Sequence, residues 1–82
     1  MAKTEEKVFG TLDIYLSAFI TLQGIQPELR TTNGRVTFNF KASDALYRWA
    51  LAYNSNEPVP VADYVTAVKT LRGQMLTMRG QR

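Results

Sequence analysis

A chain of 82 residues has room for one small domain and no second one, and its 45% hydrophobic and 21% charged residues match folded proteins rather than disordered or low-complexity ones. The absence of His and Cys excludes disulfides, thiol nucleophiles, the usual zinc ligands and the commonest general base. The net charge of +3 is unevenly spread, because Tyr64 to Arg82 holds Lys69, Arg72, Arg79 and Arg82 with no acid while the first 63 residues carry six basic and seven acidic side chains.

Met1 to Val8 mixes Lys3 and Lys7 with Glu5 and Glu6 and has no apolar stretch, unlike the start of a secretory signal, so a cytoplasmic location is expected. Val8 and Phe9 suggest a short strand within Lys7 to Thr11. Leu12 to Leu22, the longest apolar stretch, contains Asp13 and covers about half of the ~20 residues a membrane span needs, so it reads as a buried helix and no membrane contact is expected. Thr11 suits the N-cap of that helix, Asp13 its first turn, and Gly24 a left-handed exit. Asp13, Ser17 and Thr21 recur every four residues as one narrow polar stripe, and nearly everything else is apolar, so the helix is expected to be covered on more than one side.

Asn33-Gly34 supplies two residues that accept positive φ, which predicts a type I′ hairpin over Ile25 to Phe40. A two-residue loop sets Thr32 against Arg35, Arg30 against Thr37 and Glu28 against Asn39. Alternation then puts Leu29, Val36, Phe38 and Phe40 on an apolar face, with Gln26, Glu28, Arg30, Thr32, Arg35, Thr37, Asn39 and Lys41 on the other. Pro27 cannot donate to a ladder, which makes the first strand an edge. Ser43 caps a second helix from Asp44 to about Tyr53, burying Leu46, Trp49, Ala50 and Tyr53 with Arg48 outward. After the loop Asn54 to Val59, Pro60 suits the first turn of a third helix, with Asp63 near its positive end. Val61, Tyr64, Val68, Leu71, Met75 and Met78 form a short heptad seam, read first as core and second as a partner-helix face. Gly73 costs that helix about 1 kcal/mol relative to Ala, so an end near Arg72 and a basic tail from Gln74 to Arg82 are expected.

The seven carboxylates all have structural explanations at helix starts, in the terminal segment, on the hairpin or in a loop. Ser17, Ser43 and Ser55 lack a His to serve as base, and the glycines form no phosphate-binding loop or dinucleotide fingerprint. No catalysis, metal, cofactor or small-molecule substrate is expected. The binding candidates are the basic residues: Arg30, Arg35 and Lys41 on the polar hairpin face, with Lys69, Arg72, Arg79 and Arg82 following in the C-terminal segment. A two-stranded ribbon fits the major groove of a duplex, whereas Phe38 and Phe40 point to the apolar side and offer no stacking row for single strands. The alternative is a protein-protein or homodimer interface made by Tyr64, Val68, Leu71, Met75 and Met78, because the apolar surface exceeds what one hairpin covers.

The fold class is α+β: a small two-layer domain in the order short β, α, β, β, α, α, with an antiparallel hairpin on three helices. It forms one domain over residues 1–82, with residues 1–6 and 74–82 as flexible ends. The run from Phe9-Gly10-Thr11-Leu12-Asp13 to Phe19, then Gly24 and the hairpin ending Val36-Thr37-Phe38-Asn39-Phe40, resembles a family of short bacterial and phage domains, domain of unknown function 5659. The segment with Pro60, Tyr64, Val68, Lys69 and Leu71 is similar to that family's closing helix, so the resemblance spans residues 7–76. It implies a single domain with the order helix, hairpin, helix, helix, and transfers no activity and no functional residue. Ser17 departs from it, standing where the resemblance leads to Ala.

Overall fold

The computed structural model describes residues 7–80. Strand β1 (Val8–Thr11) leads into helix α1 (Ile14–Leu22), followed by β2 (Glu28–Thr32), β3 (Arg35–Lys41), α2 (Asp44–Asn54) and α3 (Val61–Gly80). This is the expected α+β order, with the short first strand present. The sheet runs β1-β3-β2, and β3 is antiparallel to both neighbours. Strands β1 and β2 are therefore parallel to each other, and α1 carries the chain past β3 between them.

The hairpin register follows from its turn. Asn33 (φ 52°) and Gly34 (φ 79°) both occupy the left-handed region that a type I′ turn demands. Pairing then proceeds from Thr32 with Arg35 to Glu28 with Asn39, as the two-residue loop dictates. Strand β1 adds Val8 against Lys41 through Thr11 against Phe38. Its Gly10 faces Asn39, whose side-chain oxygen lies 2.7 Å from where a Cβ would stand, so glycine leaves room for that amide to lie over the edge strand.

Phe38, Phe40 and Val36 are buried on the inner face of β3, and the core continues through Ala18, Ile20, Leu46, Ala67, Val68 and Leu71 from the three helices. Each fully buried large side chain contributes on the order of 2 kcal/mol. Helix α1 is enclosed as its composition requires: Ser17, Ala18, Phe19 and Ile20 are all buried. Phe19 packs edge-on against Trp49 at 6.3 Å and tilted against Tyr53 at 5.7 Å between ring centroids, which is how α2 covers one side of α1 while α3 covers another. Buried Ser17 donates its hydroxyl to the Asp13 carbonyl at 2.8 Å, and Thr21 donates to the Ser17 carbonyl at 2.8 Å.

Three local expectations change. Asp13, not Thr11, caps α1: its carboxylate accepts from the amides of Tyr15 and Leu16, while Thr11 ends β1 and its hydroxyl accepts from the amide of Asp13. Pro60 stands one residue before α3, where its carbonyl accepts the first helical bond from Tyr64. Helix α3 does not end near Arg72 but runs through Gly73 to Gly80, because Met75 and Met78 beyond the glycine are still partly covered and Met75 packs on the core. Of the ends expected to be flexible, 1–6 and 74–82, residues 74–80 are helical, and 1–6 with 81–82 lie outside the described residues. Ser43 caps α2 as expected, accepting from the Leu46 amide at 3.0 Å.

Candidate nucleic-acid interface

The outer face of the sheet follows from alternation along β3. With Val36, Phe38 and Phe40 turned inward, Arg35, Thr37, Asn39 and Lys41 turn outward, and the register brings Glu28, Arg30 and Thr32 from β2 and Val8 and Gly10 from β1 beside them. Arg30, Arg35 and Lys41 are all exposed. The helices pack on the inner face, where α3 meets β2 and β3. Arg30 is shared with Glu28 across one residue at 3.3 Å, an exposed pair of small energetic weight that phosphate can displace.

The sheet is not equally wide along its length. Strand β1 pairs with β3 from Phe38 to Lys41, so the other end of the hairpin, around Arg30, Thr32, Arg35 and Thr37, is a two-stranded ribbon without a third strand beside it. That half ends in the Asn33-Gly34 turn. Polar side chains on a free two-stranded ribbon are the arrangement that enters a major groove about 12 Å wide.

The sequence-selected basic residues do not come together. Lys69, Arg72 and Arg79 are exposed on α3, which packs on the inner side of the sheet, whereas Arg30, Arg35 and Lys41 project from the outer side. Arg82 lies outside the described residues. The alternative seam is divided as well. Val68 and Leu71 are buried in the chain's own core, and Tyr64 and Met75 pack against that core, with Met78 partly covered beyond them. Val61, expected at the head of that seam, is instead exposed, and with the exposed Val65 and Leu76 it belongs to a second α3 stripe.

A small cleft between α1 and the start of α3 is lined by Phe19, Tyr53, Asn56, Glu57, Val59 and Tyr64. Burial pushes the Tyr53 and Tyr64 phenols above their ordinary range, and the negative charge of Asp13 and the neighbouring phenols adds to the effect. The hydroxyl of Tyr64 donates to the carbonyl of Tyr15 at 3.0 Å, which gives this phenol a structural task. Among the described residues no group of three or more acidic side chains is placed to hold a metal ion, and no helix is long and apolar enough to cross a membrane.

Fold and surface together define a small α+β domain with an open, polar sheet face. The family model described as domain of unknown function (DUF5659) matches residues 6–77, and the chain belongs to that family. No curated protein and no solved structure matches it.

Proposed function

We propose that the domain is a non-catalytic module that contacts duplex nucleic acid through the outer face of its sheet. The observation that carries this reading is the free distal half of the hairpin, a two-stranded ribbon with Arg30, Thr32, Arg35 and Thr37 on one uncovered face. Arg35 and Arg30 supply charge and forked donors for phosphates or guanine edges, Asn39 supplies an amide suited to adenine, and Lys41 lies at the proximal end of the same face. Fold and packing account for the carboxylates at helix starts, since Asp13 caps α1 and Asp44 and Asp63 stand in the first turns of α2 and α3.

The test is a polarisation titration of the purified protein against a labelled duplex at several salt concentrations. Binding through three or four phosphates predicts a log-log salt slope of about −3, since each neutralised phosphate contributes roughly −0.9. Arg30→Glu with Arg35→Glu should abolish binding and leave the melting temperature nearly unchanged, because both side chains are exposed. Retained binding in that double variant overturns the assignment to the hairpin. A protein-protein role is the second reading, favoured by the exposed Val61, Val65 and Leu76 of α3.

A further inference from the structure

Helix α3 carries three distinct faces over its 20 residues. At about 100° per residue, Tyr64, Ala67, Val68, Leu71, Met75 and Met78 fall on one side, and this is the side packed inward. Asp63, Thr66, Thr70, Gln74 and Thr77 form a polar side, joined there by Gly73. Between them Val61, Val65, Lys69, Arg72, Leu76 and Arg79 lie within an arc of about 80°. All six are exposed, with Val61 at 75%, Leu76 at 55% and Val65 at 43%. Among the described residues none of the three cations is held by a carboxylate. From Val65 onward the spacing is 4, 3, 4, 3, the repeat by which one helix seats another.

We propose that this stripe docks an acidic amphipathic helix of a partner protein, a role separate from that of the outer sheet face. Three cations and no acid call for a negatively charged partner, and three aliphatic side chains call for one that also covers apolar surface. A helix with aliphatic residues on its seam and glutamates beside it meets both requirements along the ~27 Å from Val61 to Arg79. A second copy of this chain does not, because twofold pairing about the middle of the stripe sets Lys69 and Arg72 against their own counterparts. Phosphates would engage the cations and leave Val61, Val65 and Leu76 in water. The stems of Lys69 and Arg72 can lie along the partner's apolar seam while their charged ends reach its acids.

The probe is a labelled synthetic helix of about three heptads with Leu on its seam and Glu flanking it. The control is a peptide of the same composition in scrambled order. Polarisation should rise saturably with the intact 82-residue protein for the patterned peptide and not for the scrambled one. Lys69→Glu with Arg72→Glu, and separately Val65→Ser with Leu76→Ser, should each weaken binding by about tenfold or more. Arg30→Glu with Arg35→Glu should leave it unchanged. Circular dichroism establishes that each variant keeps its helix, and either stripe variant tests the proposal without the other. Equal binding of the scrambled peptide overturns the proposal, as does indifference to Val65→Ser with Leu76→Ser. Failure to bind the peptide together with sedimentation on phosphatidylcholine–phosphatidylserine vesicles assigns the stripe to an anionic membrane instead and also overturns it.

Discussion

Tyr64 ties α3 to α1 with one hydrogen bond, from its hydroxyl to the carbonyl of Tyr15. Its phenol and that of Tyr53 are held protonated above the ordinary tyrosine range, first by burial and then by the negative charge of Asp13 and nearby phenols. The unfolded chain ionises these groups near pH 10, before the folded chain does. Their contribution to stability is therefore complete below about pH 10 and is lost as pH rises through the raised folded values. Thermal melts should show a falling midpoint above about pH 10, and Tyr64→Phe should make that fall shallower while costing about 1 kcal/mol at neutral pH for the lost bond. An alkaline profile unchanged in Tyr64→Phe would contradict the account. Ser17 is explained at the same scale: fully buried, it satisfies its hydroxyl on the preceding turn, so the polar residue fits where the family resemblance leads to Ala.

At the scale of elements, Gly73 gives the clearest consequence. The helix passes through it, and a Cβ there would meet nothing within 4 Å. Gly73→Ala should therefore stabilise the protein by roughly 0.5–1 kcal/mol, read as a raised denaturant midpoint at constant slope. Destabilisation would instead mean that the chain leaves the helix at this point. The hairpin was legible from sequence because two independent signals agreed, the alternation of each strand and the register imposed by Asn33-Gly34. The start of α1 was not, because Thr11 and Asp13 are both good caps and only the pairing of Thr11 with Phe38 in the sheet decides between them. The end of α3 is not legible in local sequence, because the cost of Gly73 is offset by the packing of Met75 on the core, a tertiary term.

For the whole molecule, the fold class and the inner and outer faces of the sheet followed from periodicity, but the grouping of charges did not. Arg30, Arg35 and Lys41 share a face by strand alternation, whereas the side of the sheet taken by Lys69, Arg72 and Arg79 depends on how α3 packs against it. The second α3 stripe was readable as a repeated 4, 3, 4, 3 spacing, yet it stood in the shadow of the buried seam beside it. The basic residues of the sheet and those of α3 lie on separate surfaces, and the two proposals assign each a different partner. Amide chemical-shift mapping of the labelled protein with a short duplex at low salt separates them most directly. The account predicts shifts confined to residues 28–41 and the adjoining β1, with residues 61–79 unmoved; shifts concentrated along Lys69, Arg72 and Arg79, or no shifts anywhere, would contradict it.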